Sequence, residues 1–155
     1  MITFRNVVGY LDTIAENHLA LQSFHSGFLD EVDINKLGAE DYPILYAEPG
    51  SATIDQGSLT YSFNIYVLDM LQEDSDDRND TFSENLQILQ DVINEFKQNL
   101  YSTSWVANEI VLDIPITVEP FTARFDNVLT GWNATLNIEV NNTNNLCISP
   151  ITPNS

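Results

Sequence analysis

The residues best suited to chemistry in this sequence are the carboxylates of one short acidic segment. Residues 72–80 read Gln-Glu-Asp-Ser-Asp-Asp-Arg-Asn-Asp, and carboxylate oxygens are the ligands that calcium prefers. Aligned as a helix–loop–helix calcium loop that begins at Asp74, the segment has Arg78 at position five and no glycine at position six. The calcium pattern therefore fails. Two interpretations stay open: a weak divalent-cation site, or a solvated acidic loop that favours the positive end of the helix after it.

Side chains that act as bases or nucleophiles near neutral pH are few. His18 and His25 are the two histidines, and their spacing identifies no partner for either. Since no histidine stands four residues after His18, a hydrogen-bonded boundary or core histidine is favoured over a metal ligand. Cys147 lies in a polar tail without a neighbouring basic residue, which makes it a poor nucleophile. Glycine-rich phosphate loops, zinc-binding cysteine pairs and nucleophile-elbow sequences are all missing from the sequence. We therefore expect no enzymatic activity and no cofactor.

The overall charge is the unusual feature of the composition. Twenty-three acidic residues stand against five basic ones, which gives a formal charge of −18. No two basic residues are neighbours, so the surface is expected to repel nucleic-acid phosphates and anionic membranes. No run of eighteen apolar residues is present, which argues against a membrane-spanning helix. A lone cysteine cannot form an internal disulfide, and this fits a reducing compartment.

Two amphipathic helices are expected to position these groups. We predict one over residues 81–100, begun by a capping box of Thr81 and Glu84, because apolar residues recur along it every three or four positions. A second is predicted over residues 4–23, with His18 on its apolar side. The apolar stripe of the 81–100 helix needs an apolar surface to cover, and the strand just before it is the best candidate.

Strand patterns account for most of the rest of the chain. Residues 58–70 alternate strictly between an apolar and a mostly polar face, and residues 132–140 alternate almost as clearly. Gly57 is expected to take the left-handed position in a hairpin turn over residues 55–57. Shorter predicted elements are strands at 43–48, 51–54, 105–112 and 114–121, with one helical turn at 34–37. Together they predict a single α+β domain over 1–140, whose mostly antiparallel sheet is packed by the two helices, and an extended C-terminal tail over 141–155.

This order of elements, with the acidic and motif-free composition, resembles the tail-terminator and tail-completion (neck) proteins of tailed bacteriophages. Three parts of the chain carry the likeness. They are residues 33–37 followed by 43–46, the strand, acidic loop and helix of residues 61–96, and residues 129–132 at the start of the strand predicted over 132–140. Members of that family are small α+β subunits that assemble into a ring at the head-proximal end of the tail or in the neck. The family has no catalytic residues to carry over.

The resemblance implies a structural virion protein that assembles in the host cytoplasm. It implies a cyclic homo-oligomer, a hexamer or dodecamer, that contacts tail-tube and neck or connector proteins and lets DNA pass without specific binding. An acidic lumen repels phosphates, so DNA slides through it. The residues expected to face the lumen or a partner ring are Glu73, Asp74, Asp76 and Asp77. The tail residues expected to contact partners are Leu146, Cys147, Ile148 and Ile151.

Two other functions are compatible with the sequence. A soluble acidic binding protein, for example a DNA mimic that inhibits a basic host protein, would use clustered carboxylates to imitate a phosphate backbone and would bind in a salt-sensitive way. A metal-dependent hydrolase would have to be built on the carboxylates of residues 74–80, and this is the more distant alternative.

Overall fold

The computed structural model describes residues 3–27, 41–70, 78–102, 111–113, 115–124 and 128–141. These residues form two helices and a six-stranded, mostly antiparallel sheet, so the fold is α+β as the sequence predicts. In chain order the elements are α1 (Phe4–Asn17), β1 (Ser23–Ser26), β2 (Ile44–Asp55), β3 (Ser58–Met70), α2 (Arg78–Ser102), β4 (Val111–Leu112), β5 (Val118–Arg124) and β6 (Val128–Asn141).

The sheet is built around two long central strands, β3 and β6. They pair antiparallel over their whole length, from Ser58 opposite Asn141 to Met70 opposite Leu129. β2 pairs with the other side of β3, and the short β1 runs parallel to the first four residues of β2. Since β3 occupies one side of β6, β4 and β5 must both lie along its other side. The described sheet therefore has β2 and β1 at one margin and β4 and β5 at the other.

Both helices pack on one face of this sheet. Alternate residues of β3 point toward them and are buried, as the period-two pattern predicts. They form one apolar core with residues from α1, α2 and β6. Complete burial of one large apolar side chain stabilises the fold by roughly 1.5–3 kcal/mol. The largest members of this core that are fully buried are Leu11, Leu45, Phe63, Ile65, Leu89, Phe96, Leu136 and Ile138.

The opposite face of the sheet is apolar only in part. Tyr66 and Leu68 of β3 join Ile44, Tyr46 and Leu129 in a second buried cluster. The sequence places Thr60, Ser62, Asn64, Tyr66 and Leu68 on this mostly polar face, and the buried members are Tyr66 and Leu68. Because four consecutive residues from Ile65 to Leu68 are buried, this part of β3 has apolar neighbours on both faces.

The start of α2 and the end of α1 differ from the predicted positions. Helix α2 begins at Arg78, so Thr81 lies inside the helix and the predicted capping box is wrong. Helix α1 begins with a capping box of Thr3 and Asn6 and ends at Asn17, six residues before the predicted end. The backbone of His18 is extended there, and Leu21 is buried without being helical. Apolar spacing overestimates this helix because a buried extended residue continues the same pattern.

The strands near the hairpin also differ in detail. Pro49-Gly50 does not separate two strands, because β2 continues to Asp55 with a register irregularity between Pro49 and Ala52. Asp55 pairs with Ser58, so the loop has two residues, and Gly57 takes a positive φ of 80° as predicted. Strand β1 is not among the predicted strands, and its first residue, Ser23, is the last residue of the predicted helix over 4–23. The predicted turn at 34–37, most of the predicted strand at 105–112 and the tail beyond Asn141 lie outside the described residues.

Candidate functional site

The residues that the sequence nominates for partner contacts lie outside the described part of the chain. This applies to the acidic set Glu73, Asp74, Asp76 and Asp77. It applies equally to the tail set Leu146, Cys147, Ile148 and Ile151. Their roles stay predictions. The described residue nearest to the acidic set that carries a carboxylate is Asp80, which is exposed in the first turn of α2.

The described residues do form a polar groove beside that first turn. It has a volume of about 590 Å³ and lies where the end of β3, the connection after α1 and the N-terminal half of α2 meet. We call it the Asn85 groove. Its polar lining includes His18, Asp69, Glu84, Asn85, Gln87 and Asp91. A larger groove of about 790 Å³ runs between α1 and α2 and shares His18 and Asp91 with the first.

A tryptophan on the central strand fixes the position of α2 over the sheet. The Nε1–H of Trp132 donates to the backbone oxygen of Phe82 at 2.8 Å, and the two aromatic rings meet edge to face at 6.0 Å. This bond satisfies the indole N–H in a part-buried position, where an unpaired donor would be unfavourable. It places Glu84 and Asn85, in the next part of α2, beside the groove that Asp69 also lines.

His18 and Asp91 join the end of α1 to the middle of α2. His18 Nε2 lies 3.0 Å from Asp91 Oδ2, and the side-chain amide of Gln87 donates to Asp91 Oδ1 at 3.0 Å. The backbone N–H of Ala20 donates to His18 Nδ1 at 3.1 Å, so Nε2 carries the proton and donates to Asp91. Both ring nitrogens are therefore engaged, and His18 has no lone pair left for general-base chemistry.

This geometry agrees with a boundary histidine, which the sequence favours over a metal ligand. Sequence spacing could not have identified Asp91 as its partner, because the two residues are 73 positions apart. For His25, in contrast, Nε2 is buried without a hydrogen-bond partner in the described part of the chain, and its ring stacks on Tyr46 at 6.4 Å.

Asp69 is a part-buried carboxylate that lines the Asn85 groove from the end of β3. Burial raises the pKa of its carboxyl above the ordinary value, and the negative charge of Glu84 adds to the rise. The backbone N–H of Met70, which donates to Asp69 Oδ1 at 2.8 Å, acts in the opposite direction. The net rise in pKa means that the folded protein holds a proton on Asp69 more readily than the unfolded chain does.

Asn85 is the least expected residue of the groove. Asn85 is 0% exposed, yet neither Oδ1 nor Nδ2 has a hydrogen-bond partner among the described residues. Nearly all buried polar atoms in folded proteins are paired, and an unpaired one lowers stability by about 1–3 kcal/mol. The unpaired amide of Asn85 is therefore expected to lower the stability of the fold.

We expect Asp69→Asn to stabilise the protein at neutral pH but not at acid pH. Above the raised folded-state pKa the carboxylate is charged, and its partial burial then opposes folding. Below about pH 3.9 the carboxyl is protonated in both states and resembles the amide. Since solvent screens the part-exposed group, the gain at pH 7 should be less than about 1 kcal/mol. Urea unfolding of both proteins, at neutral pH and below the ordinary carboxyl pKa, measures this gain in the free energy of unfolding. An equal gain under both conditions would contradict a raised pKa for Asp69.

Other site types find little support in the described ranges. Within them, no three His, Cys, Asp or Glu side chains converge as ligands of a metal ion would. Among the same residues no helix combines the length and apolar character needed to cross a membrane. Comparison with known proteins adds no assignment, because no protein family matches the sequence and no curated protein is significantly similar to it. A function for this chain therefore has to be argued from its geometry and its charge.

Proposed function

We propose that this protein is a structural subunit of a tailed-bacteriophage virion, of the tail-terminator, tail-completion or neck type, and that it is not an enzyme. In this proposal it forms a ring that joins the tail to the head-proximal connector. Support comes from the order of elements, from the α+β fold with both helices on one face of the sheet, and from the engagement of both nitrogens of His18. The observation that carries the proposal is the edge of β2 that no described strand covers.

The second half of β2 forms this edge. Strand β1 pairs only with Ile44–Ala47, so among the described strands Gly50–Asp55 has a neighbour on the β3 side alone. Beyond the register irregularity, Ala52–Asp55 offers roughly 13 Å of regular backbone, at about 3.3 Å per residue, and all four residues are exposed. Ile54 is an apolar residue that is 79% exposed. Such an edge is suited to pairing with a strand of another chain.

The two margins of the sheet differ, so a ring would have to join the β2 edge of one subunit to a surface of the next subunit other than its β5 margin. At the far margin, β5 carries Glu119 and Pro120, and both residue types disfavour strand pairing at an edge. In the proposed ring, the β2 edge of one subunit meets a different surface of the next subunit. Head-to-tail contacts of this kind close into rings when the rotation between subunits permits. The tail residues Leu146 to Ile151 are proposed to add to the contact.

The charge of the protein is consistent with a channel for DNA. Asp80, Glu84 and Glu95 are exposed on α2, and the whole chain has a formal charge of −18. Carboxylates that face a lumen repel phosphates, so the duplex passes without being bound. We place the protein in the virion after assembly in the host cytoplasm.

We expect Ile54→Lys to convert the oligomer to monomer without unfolding the subunit. A lysine at an exposed edge position blocks strand pairing, and the 79% exposure of Ile54 means that little core packing is lost. The matched control is Leu19→Lys, which introduces the same side chain at a position that is 99% exposed and lies in the connection after α1. Size-exclusion chromatography with light scattering gives the mass of each protein over a range of concentrations.

The two variants separate an edge contact from a general effect of charge. The proposal requires that the wild type and Leu19→Lys share one oligomeric mass while Ile54→Lys is smaller. A wild-type protein that is monomeric at every concentration, together with no peptide of it in purified virions by mass spectrometry, would refute the ring.

A DNA mimic is the second candidate, favoured by the carboxylates along α2. Asp80, Glu84 and Glu95 are exposed and follow one another at intervals of four and eleven residues, which on a helix correspond to about 6 and 16.5 Å. A row of this kind can imitate backbone phosphates for a basic host protein. Pull-down from host lysate at low and high salt tests it, and failure to recover a basic partner at low salt would exclude it.

A further inference from the structure

His18 stands where α1 ends, and its ring contacts two parts of the chain. Its Nε2–H donates to Asp91 of α2 at 3.0 Å, and its Nδ1 accepts the backbone N–H of Ala20 at 3.1 Å. A neutral imidazole has one donor nitrogen and one acceptor nitrogen, whereas a protonated imidazole has two donors. The bond from Ala20 can therefore exist only while His18 is neutral, whereas the bond to Asp91 can exist in both states.

The N–H of Ala20 belongs to the exposed middle of the connection between α1 and β1. Helix α1 fixes one end of this connection, and the buried Leu21 fixes the other. Leu19 and Ala20, which lie between them, are exposed. Among the described residues, the other polar contact of this stretch is longer, from the side-chain amide of Gln22 to the oxygen of Ala20 at 3.4 Å. The ring of His18 is thus the main polar contact that holds the middle of the connection.

The ionisable groups around His18 are mostly acidic. The titratable side chains that line the two grooves with it are Tyr10 of α1, Asp69 of β3, and Glu84, Asp91 and Glu95 of α2. Neither groove has a lysine or arginine among its described lining residues. A hydrogen bond from an ionised donor to a carboxylate is stronger than one from a neutral donor. Protonation of the ring therefore strengthens the bond to Asp91 and removes the bond from Ala20.

We propose that His18 is a proton-sensitive switch for the connection between α1 and β1. Protonation at Nδ1 releases the N–H of Ala20, because two N–H groups then face each other, and it keeps the link to Asp91. Since Ala20 is exposed, water accepts the released N–H and no buried donor is left unpaired. The connection then moves while α1 and α2 stay joined. The switch lies within one subunit and does not depend on the ring.

Asp69 is the competing cause of any change on acidification. Burial raises the pKa of its carboxyl, and it lines one of the grooves that His18 lines. A side chain that keeps the acceptor for Ala20 but binds no proton separates the two groups. Asparagine has this property, because its Oδ1 lies at the same position along the side chain as Nδ1 of histidine. In His18→Asn the titration of Asp69 is retained and the proposed switch is lost.

NMR titration of the ¹⁵N-labelled full chain tests the proposal between pH 8 and pH 5, the range in which histidine as a residue type changes charge. We expect the resonances of His18 Nδ1 and of the Ala20 amide to change together, with one midpoint. The hydrogen-exchange protection of the Ala20 amide should fall by roughly fivefold, because one hydrogen bond is lost. His18→Asn should hold the Ala20 amide shift constant. The matched control is His25→Asn, the same substitution at the other histidine, which should leave the Ala20 transition in place.

The Ala20 amide also gives the results that would overturn the switch. It would be overturned if this amide kept its shift and protection while His18 Nδ1 became protonated, or if the His18 ring stayed neutral at the acid end of the titration. An Ala20 transition that persisted in His18→Asn would assign the acid response to another group, with Asp69→Asn as the check. If His18→Asn did not fold, the ring nitrogens and the Ala20 amide of the wild type would decide the question. A monomeric protein with the coupled transition would refute the ring and keep the switch.

Discussion

Replacing Gly131 with alanine is expected to destabilise the protein by at least about 3 kcal/mol or to prevent folding. Gly131 lies in β6 between Leu68 of β3 and Phe121 of β5. A Cβ atom there would overlap the backbone carbonyl of Val67, and its next contact is the Cα atom of Leu68. Since these are backbone atoms of a central strand, no side-chain rotation relieves the overlap. The β3–β6 pair, on which the whole sheet depends, would have to separate locally.

Gly9→Ala is the matched control for this prediction. Gly9 lies inside α1, and an added Cβ would meet no atom within 4 Å. Alanine is the better helix former, so this variant should gain about 0.5–1 kcal/mol. Urea unfolding followed by circular dichroism compares the two proteins with the wild type. If Gly131→Ala retained wild-type stability, the close approach of β6 to Val67 would be incorrect.

The sequence predicts the central strands well and the margins of the sheet poorly. Both β3 and β6 alternate over more than eight residues, and a strand with one face against the core requires that pattern. Strand β1 and the irregularity at Pro49 leave no comparable signal, because they depend on pairing with a distant strand. Pro49-Gly50 is a turn signal by local propensity, yet pairing with β3 keeps the chain extended there.

The candidate site also has one feature that the local sequence indicates and others that depend on tertiary packing. Asn85 stands three residues after Phe82 and four before Leu89. It therefore lies on the apolar stripe of α2, and a polar residue at such a position is a signal that sequence analysis could have used. Only the packing of α2 on β3 and β6 shows that both polar atoms of its amide lack partners among the described residues. The same packing brings Asp69 and Glu84 to the groove that Asn85 lines. The acidic set at 73–77 and the tail set at 146–151 remain predictions.

Phe96→Ala is expected to lower the free energy of unfolding by about 3–5 kcal/mol, because truncation of a buried phenylalanine loses its apolar contacts and leaves a cavity. Phe96 is 0% exposed, and its ring meets Tyr10 of α1 edge to face at 5.3 Å. It thus connects the two helices above the sheet. Leu19→Ala, at a position 99% exposed, is the control and should stay within about 0.5 kcal/mol of the wild type. Urea unfolding measures both. If Phe96→Ala lowered the free energy of unfolding by less than about 1 kcal/mol, Phe96 would not be a main packing contact between α1 and α2. The positions of the helices that line both grooves would then have to be fixed by other contacts.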